Sequence, residues 1–342
     1  MRPLLCRALV CVALTCYFVG AASSQTVEQF YAGRQLRFIL GHPAGGDYDL
    51  GGRLLSRYFS RHIPGHPTIV LQTMPAAASV VATNYLYSHA PRDGSVVGSI
   101  SRNIPSQAIL GQGNLEADPR RFFWLGAASL PSRVCLSSRD SGVFSVADIF
   151  RRDFVVGGSG AGSSLSIVPT TLNRVLGAKF RLVEGYLGPP DAWLAMERGE
   201  IQGVCASINQ FASRAEDIRS GRVRILFRAE ETPLAAFPDV PSIYDYASTD
   251  RQRDLLRFIF SSVEFGRPYV LPPDTPPDRA LALRGAFEAT LRDPDLIAEA
   301  RASRIDMTPR PAAELVSLLD RLYATPRETL DAVAKIVPAG RD

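Results

Sequence analysis

The chain contains few of the residues that most often bind metals or carry catalysis. Among its 342 residues are 4 histidines, 5 cysteines and 2 tryptophans, and no histidine lies beyond His89. No two cysteines have the CxxC spacing of a zinc or redox motif. We therefore expect no metal and no cofactor.

The chain also lacks an excess of charge of one sign. It has 38 lysines and arginines against 34 aspartates and glutamates, a formal net charge of +4, and the basic residues are scattered rather than clustered. Nucleic-acid-binding domains carry a basic patch or stripe. The charge distribution therefore predicts no nucleic-acid partner.

Long apolar runs are absent except at the start of the chain. Arg2 and Arg7 provide positive charge, residues 8–22 are uncharged and mostly apolar, and small residues follow. At about 15 residues, the apolar run is shorter than the roughly 20 needed to cross a bilayer, and it has the layout of a secretory signal. The sequence predicts a cleavable signal peptide over residues 1–24 and export to the periplasm.

Three of the five cysteines fall within this leader, which leaves Cys135 and Cys205 in the mature chain. Both lie in apolar stretches that have the pattern of strands. In an oxidising compartment the two thiols either form a disulfide or stay separate and buried. The sequence leaves both arrangements open.

Short apolar runs alternate with segments of helical periodicity along the rest of the chain, a pattern typical of α/β architecture. The end of the chain is helical and punctuated by proline. The predicted strands are 36–40, 68–74, 96–100, 133–137, 154–156, 179–183, 203–207 and 223–227. The predicted helices include 189–198, 279–291, 312–323 and 327–336.

Three strand-to-helix turns are rich in small residues, and we call them loop 1 (42–49), loop 2 (75–79) and loop 3 (157–164). Such turns present unpaired backbone N–H groups at a helix N-terminus, where the helix dipole adds positive charge. They bind anions without a charged side chain, and ligands of open α/β sheets sit beyond the carboxyl ends of strands. We predict an anion site shared by the three turns. We also expect Asp49 to be a helix N-cap that Arg53 neutralises.

The third turn is similar to two functional motifs but matches neither of them. Gly157 and Gly162 have the spacing of a phosphate-binding P-loop, but Ser163 stands where that motif needs lysine. Residues 157–161 approach the Gly-x-Ser-x-Gly elbow of a hydrolase but end in alanine, and no histidine follows Ser159. These residues favour binding over catalysis, with an exported serine hydrolase using Ser159 as the less favoured alternative.

A series of motifs follows one order along the chain. They are HPAGGDYD at 42–49, TMPAAA at 73–78, PRDG at 91–94, GAGS at 160–163, GYLG at 185–188 and PDVPS at 238–242. In order and spacing they resemble the motifs of the extracytoplasmic solute receptors of tripartite tricarboxylate transporters, the Bug or TctC-like family. The resemblance runs from about Tyr31 to the end of the chain.

This resemblance implies a type 2 periplasmic-binding fold, with two α/β lobes and a ligand cleft between them. It places lobe 1 at residues 25–128 plus 265–342 and lobe 2 at 129–264. It also implies a monomer, not an enzyme, that captures a small organic acid such as a di- or tricarboxylate and delivers it to membrane transporter subunits. A receptor that reports the ligand to a membrane kinase is the alternative that the sequence leaves open.

The candidate ligand-binding residues come from the loops and from the resemblance. The family holds a ligand carboxylate mainly through backbone groups and ordered waters of the first two loops, and its second lobe closes over the remainder. In this chain the candidates are His42, Pro43, Ala44, Gly45, Gly46, Asp47, Tyr48, Asp49, Ala77, Ala78, Ser79, Ser159, Gly160, Ala161, Gly162, Ser163, Ser164, Tyr186 and Ser207.

Departures from the family pattern bear on the ligand. Ala76 and Ala78 replace glycines of the second loop, and because alanine disfavours positive φ, the sequence predicts a turn of another shape. Asp47 replaces a glycine, which predicts repulsion of a polycarboxylate or attraction of an amine. Ala206 stands near the position of a frequent family aspartate that reads a ligand amine, which makes an amino-acid ligand less favoured.

Overall fold

The structure is a computed structural model that describes residues 25–336 except 131, 161, 162, 164 and 235. The predicted signal peptide lies outside the described residues. The strands are β1 (Gln35–Leu40), β2 (Thr68–Thr73), β3 (Val96–Ser99), β4 (Phe123–Ala127), β5 (Arg133–Ser138), β6 (Phe154–Gly158), β7 (Phe180–Glu184), β8 (Gly203–Ser207), β9 (Val223–Arg228), β10 (Pro268–Leu271) and β11 (Arg310–Pro311).

Helices connect most of these strands, and within the described chain none is both long and apolar enough to span a bilayer. They are α1 (Val27–Tyr31), α2 (Asp47–His62), α3 (Val80–Ser88), α4 (Ile104–Leu110), α5 (Asp148–Arg151), α6 (Ile167–Leu176), α7 (Pro189–Glu197), α8 (Ala215–Arg219), α9 (Asp250–Phe265), α10 (Pro277–Thr290), α11 (Pro294–Ala302), α12 (Ala312–Tyr323) and α13 (Arg327–Ile336).

The strands form two separate mixed sheets. Sheet 1 has the order β11-β4-β10-β3-β1-β2, and sheet 2 has the order β7-β6-β8-β5-β9. In sheet 1, β10 runs antiparallel to β3 and β4, and in sheet 2, β5 runs antiparallel to β8 and β9. Two sheets with intervening helices confirm the predicted α/β class. We call each sheet with its helices a lobe.

Apolar periodicity explains the core of each lobe. Leu36 and Phe38 of β1 are fully buried, and α2 presents Leu55 and Phe59, four residues apart, to the same core. In lobe 2, Trp193 of α7 packs in a second core against sheet 2. The two clusters hold each sheet rigid at the edge where its loops emerge.

Two crossovers connect the lobes and lie side by side. Arg267 donates its backbone N–H to the Ser129 carbonyl oxygen at 2.9 Å, and Ala128 donates to the Arg267 carbonyl oxygen at 3.0 Å. Gly266 has φ +60°, and a Cβ there would collide with the Ser129 carbonyl oxygen. Only glycine therefore fits this position. We call these four residues the hinge.

Helix α9 contacts both lobes. It packs against α6, which covers β7 of sheet 2, and against α12, which covers β4 of sheet 1. The sequence-based boundaries assign residues 250–264 of this helix to lobe 2 alone. Those boundaries stay a prediction, and α9 is one element on which the two lobes share a surface, beside the contact of α13 with α6.

Candidate functional site

A cavity of about 280 Å³ lies between the lobes. Its walls adjoin the ends of β3, β5, β8 and β10 and the start of α2, where open α/β sheets bind ligands. We call it the interlobe cavity. It is lined by Asp47, Tyr48, Leu50, Arg102, Arg267, Ser303, Arg304, Ile305 and Asp306 from lobe 1 and by Arg133, Ser207, Asn209 and Gln210 from lobe 2.

Arginine dominates the charge of this cavity. Its four guanidinium groups face only two carboxylates, those of Asp47 and Asp306. Guanidinium groups donate paired N–H bonds that match the two oxygens of a carboxylate. The excess of positive charge therefore favours an anionic ligand.

Loop 1 ends at the N-terminus of α2. The helix has Gly46 as its N-cap, and no side-chain hydrogen bond caps it. Asp49 lies inside the first turn, where its carboxylate accepts a hydrogen bond from the Gly45 N–H at 2.9 Å and pairs with Arg53 at 2.9 Å. The prediction that Asp49 is an N-cap is therefore wrong, whereas its neutralisation by Arg53 is confirmed. Hydrogen bonding to Arg53 holds the pKa of Asp49 below its usual value.

Asp47, at the first position of the same helix, forms an ion pair with the hinge. Its Oδ2 lies 2.9 Å from Nη2 of Arg267, and the Arg267 side chain is 10% exposed whereas that of Asp47 is 70% exposed. Asp47, which replaces a glycine of the family pattern, thus neutralises the buried guanidinium of Arg267.

His42 and Tyr48 form an aromatic stack beside this pair. Their ring centroids are 3.6 Å apart, and the Tyr48 hydroxyl donates to the Gly266 carbonyl oxygen and accepts from the Arg102 N–H, each at 3.3 Å. Burial, aided by the charges of Arg102 and Arg267, lowers the pKa of His42 to about 4. His42 is therefore neutral at pH 7 and adds no charge to the cavity.

Loop 2 adopts a left-handed turn in spite of its alanines. Ala77, Ala78 and Ser79 have φ values of +46°, +50° and +79°, whereas Ala76 is extended. Ala78 thus adopts the positive φ that alanine disfavours, and the shape of the turn relative to the family pattern stays a prediction. Each such residue costs about 1–2 kcal/mol relative to the right-handed conformation, so surrounding contacts must hold the turn.

Ser79 supplies one of those contacts. Its side chain is buried, its Oγ accepts a hydrogen bond from the Ser101 N–H at 3.2 Å, and it occupies the space that a Cβ at Gly41 would need. Ser79 therefore ties loop 2 to the ends of β1 and β3 and does not line the interlobe cavity.

Loop 3 already holds a carboxylate of the chain itself. The Gly160 N–H donates to the Glu184 carboxylate at 2.6 Å, and the Ser166 hydroxyl donates to it at 3.1 Å. The Gly160 N–H, which the sequence predicts to donate to a ligand, thus donates to Glu184 instead. The remaining candidates Ala161, Gly162 and Ser164 lie outside the described residues.

The other lobe 2 candidates follow strands of the same sheet edge. Tyr186 donates its N–H to the Gly158 carbonyl oxygen at 3.2 Å, and the Ser163 hydroxyl donates to Ser166 at 3.0 Å. Ser159 donates its N–H to the Ser166 hydroxyl at 3.3 Å, and in the described part of the chain no histidine bonds to it. Nothing in this arrangement favours Ser159 as a nucleophile.

Of the sequence candidates, Asp47, Tyr48 and Ser207 line the interlobe cavity. The assignment of loops 2 and 3 to the ligand stays a prediction. The lining arginines Arg102 and Arg133 escaped sequence reasoning because arginines are scattered along the chain. The available signal was position, since Arg102 follows predicted strand 96–100 and Arg133 opens predicted strand 133–137.

Two residue pairs outside the cavity bear on disulfide formation and on metal binding. Cys135 and Cys205 are direct partners in the register of β5 and β8, and their sulfur atoms form a disulfide.

His62 and His66 are four residues apart, a spacing that metal ligands use, but His62 bonds to Asp293 and His66 to a backbone carbonyl. No cluster of three or more metal-ligating side chains exists among the residues described.

Two α/β lobes, a paired hinge and an anion-attracting cavity between the lobes define a two-lobed solute-binding fold. The chain resembles a TctC solute-binding protein from Polaromonas solved without ligand, with a TM-score of 0.70 and 17% identity over 89% of this chain and 99% of that one. It also resembles MatC from Rhodopseudomonas palustris with bound malate, at a TM-score of 0.54 and 19% identity over 89% and 99% of the two chains.

Further comparisons agree on this fold. The periplasmic binding protein BugD gives a TM-score of 0.56 at 16% identity over 90% of this chain and 98% of that one. A UPF0065 protein from Cupriavidus necator is 22% identical over 314 residues, which are 90% of this chain and 89% of that protein. No family model matches the chain. The resemblance to TctC and Bug proteins and the two-lobed periplasmic-binding fold are confirmed.

Proposed function

We propose that the protein is a periplasmic solute receptor that captures a small organic di- or tricarboxylate in the interlobe cavity and delivers it to a tripartite tricarboxylate-type transporter. The observation that carries this proposal is the excess of guanidinium groups over carboxylates in that cavity. The malate bound to MatC and the adipate bound to another R. palustris protein of similar fold, with a TM-score of 0.56, support a dicarboxylate.

Capture uses groups from both lobes. The uncapped N-terminus of α2 offers backbone N–H groups from lobe 1, and Arg133 and Ser207 offer donors from lobe 2. A ligand that contacts both lobes stabilises the closed arrangement by its differential affinity for that state. The paired hinge residues are where the backbone rotates. Binding without chemical conversion is then sufficient for the activity.

Export and oligomeric state complete the proposal. Residues 1–24 direct the chain to the periplasm, where the Cys135–Cys205 disulfide persists because the compartment is oxidising. The receptor acts as a monomer in which both lobes of one chain line the interlobe cavity. Its partners are the ligand and the membrane subunits of the transporter.

Thermal unfolding with a panel of organic acids tests capture. A ligand at 100 times its dissociation constant stabilises the folded state by about 2.7 kcal/mol, which raises the melting temperature by several degrees. The panel contains succinate, malate, adipate and citrate, and succinamide serves as the neutral control. An unchanged melting temperature with every acid would contradict the proposal.

Scattering and uptake measurements test closure and delivery. Small-angle scattering at saturating ligand is expected to show a smaller radius of gyration than the free protein. Uptake of the same radiolabelled acid is expected to fall in cells that lack this protein. Unchanged uptake together with a lost transcriptional response to the acid would instead support a receptor for a membrane kinase.

A further inference from the structure

The deepest charge in the interlobe cavity belongs to Arg133. This first residue of β5 is 7% exposed. Its backbone is fixed, because its N–H donates to the Glu230 carboxylate and its carbonyl oxygen accepts from the Ala229 N–H at 2.8 Å. Its guanidinium, however, donates to none of the described residues. A buried cation without an acceptor destabilises a fold, so its presence in a cavity wall indicates an external partner.

Glu230 does not supply the missing negative charge. It is 2% exposed, and burial raises its pKa to about 8, so it is mostly protonated at pH 7. Its Oε2 has no hydrogen-bond partner among the atoms described. Burial lowers the pKa of Arg133 to about 9, which still leaves the guanidinium charged at pH 7. The positive charge of Arg133 is therefore uncompensated within lobe 2.

Ser207 adds a hydrogen-bond donor at the same place. It is the direct partner of Arg133 in the register of β5 and β8. Its hydroxyl is buried and has no partner within the described chain, and it lines the same cavity. A guanidinium and a hydroxyl on adjacent strands, both unpartnered and both facing one cavity, form a built site for an oxyanion.

Arg102 presents a second uncompensated guanidinium from the opposite lobe. It follows β3, lines the same cavity, and makes no ion pair with a described carboxylate. Its charge lowers the pKa of Arg133, so the two cations lie within electrostatic range of each other. Arg267 differs, because Asp47 already neutralises it. Arg304 of lobe 1 also makes no ion pair with a described carboxylate, but it is exposed to solvent. Each lobe thus contributes one buried or half-buried guanidinium that lacks a counter-ion among the described residues.

We propose that the cavity selects a ligand with two acidic groups, one of which binds to Arg133 and Ser207 of lobe 2 while Arg102 of lobe 1 neutralises the other. This inference rests on the proposed capture of a di- or tricarboxylate and adds which residues of the two lobes select for the second acidic group. A monoanion leaves one guanidinium uncompensated. The mutual repulsion of Arg102 and Arg133 disfavours closure until a dianion lies between them.

Calorimetric titration with matched acids tests this selection. The pairs are succinate with butyrate and adipate with hexanoate, at fixed ionic strength and pH 7. Wild-type protein is expected to bind at least one dianion about 100-fold more tightly than its monoanionic match. Arg133→Gln is expected to weaken that dianion about 30-fold and to leave the monoanion nearly unchanged. Arg301→Gln, on the exposed surface of α11 and outside the cavity wall, is the control.

Stability of the ligand-free variants separates recognition from a structural role. Because Arg133→Gln removes a buried charge that has no acceptor, the free variant is expected to melt at the same temperature as wild type or higher. A structural role predicts a lower melting temperature instead. Arg102→Gln, at a half-buried position, gives a second variant with the same expected loss of dianion preference.

Each result has a definite meaning. If wild type binds none of the four acids, this inference fails, and the proposed function fails with it only if malate and citrate also leave the melting temperature unchanged. If a monoanion binds as tightly as its matched dianion, capture of an organic acid stands, whereas the preference for a dicarboxylate and its assignment to Arg133 and Arg102 are overturned. Equal weakening of both acids by Arg133→Gln would also overturn that assignment.

Discussion

Arg267 of the hinge and Asp47 at the start of α2 form an ion pair with 2.9 Å between Nη2 and Oδ2. The pair joins the hinge, where we propose that the backbone rotates on closure, to loop 1, which we propose offers backbone N–H groups to the ligand. Asp47, which the sequence predicts to repel a polycarboxylate or attract an amine, is thus a counter-ion of Arg267. The geometry therefore makes Asp47 a competitor of the ligand for Arg267.

We expect Asp47→Asn to raise the affinity for a dicarboxylate while it lowers stability. Loss of one negative charge near the cavity strengthens anion binding by about 1 kcal/mol, or roughly fivefold. The buried Arg267 loses its partner, which costs about 1–3 kcal/mol in the ligand-free protein. Calorimetry and urea unfolding measure the two effects.

Asp295 provides the matched control for this variant. Its side chain is also 70% exposed and pairs with an arginine, Arg61, but it lies outside the cavity wall. Asp295→Asn should leave affinity unchanged. Equal affinities for Asp47→Asn and wild type would show that Arg267 does not act on the ligand.

The carboxylate of Glu184 occupies the Gly160 N–H of loop 3, so a ligand that uses this donor must displace it. Glu184→Ala is then expected to raise affinity by about 1 kcal/mol, roughly fivefold. Glu200→Ala, at another exposed glutamate of lobe 2, serves as the control. Affinity that is unchanged in Glu184→Ala would remove loop 3 from the binding site.

Much of the fold follows from local sequence patterns. Strand Gly203–Ser207 and helices Ala312–Tyr323 and Arg327–Ile336 have the predicted bounds, because apolar periodicity and flanking proline or glycine determine them locally. Strands β4 and β10 escaped prediction. They are short, and their strand character comes from pairing between segments more than 130 residues apart, which no local pattern records.

The site was less predictable than the fold. Glycine-rich loop 1 was found because its composition reports backbone conformation directly. Arg133 was not predicted as a site residue. Its role depends on the lack of a hydrogen-bond acceptor among the described residues around it, and only the fold reveals that environment. The left-handed turn at Ala78 was missed for a similar reason. Contacts of Ser79 with distant residues stabilise a conformation that alanine alone disfavours, and residue propensities do not include such contacts.

The Cys135–Cys205 disulfide makes a prediction about stability. It closes a loop of 70 residues, and the chain-entropy relation assigns such a loop about 4 kcal/mol of stabilisation. Reduction under native conditions, or the double replacement Cys135→Ala/Cys205→Ala, should lower the free energy of unfolding by a similar amount, which urea unfolding measures. Mass spectrometry after alkylation of the unreduced, denatured protein should find no modified cysteine, and two modified cysteines would exclude the bond.

Gly266 is expected to be intolerant of a side chain. Gly266→Ala forces a Cβ against the Ser129 carbonyl oxygen at φ +60°, and we expect a loss of about 2–4 kcal/mol in unfolding free energy. Gly111 also has positive φ, +62°, but nothing lies within 4 Å of its would-be Cβ. Gly111→Ala should therefore cost only about 1 kcal/mol. Equal losses would show that the hinge has room to adjust.

Glu230 gives the protein a stability that declines toward alkaline pH. Burial raises its pKa in the folded state to about 8 from 4.5, so the folded state binds a proton that the unfolded state releases. Its contribution is complete below pH 4.5 and is lost as pH rises toward 8. The pKa of His42 is lowered from 6.5 to about 4, which has the opposite sign, but most of that effect lies below pH 6.5. The change in unfolding free energy from pH 6.5 to 8 therefore comes mainly from Glu230 rather than from His42.

In that window we expect wild type to lose about 1–2 kcal/mol of unfolding free energy, and Glu230→Gln to lose clearly less. Glutamine keeps the acceptor for the Arg133 N–H but does not titrate. Burial also raises the pKa of Glu264, so the variant retains part of the slope. Urea unfolding at pH 6.5 and pH 8 measures the difference, with Glu231→Gln at the exposed neighbour as control. Parallel losses in wild type and Glu230→Gln would mean that Glu230 is ionised in the fold, and hence that it neutralises Arg133.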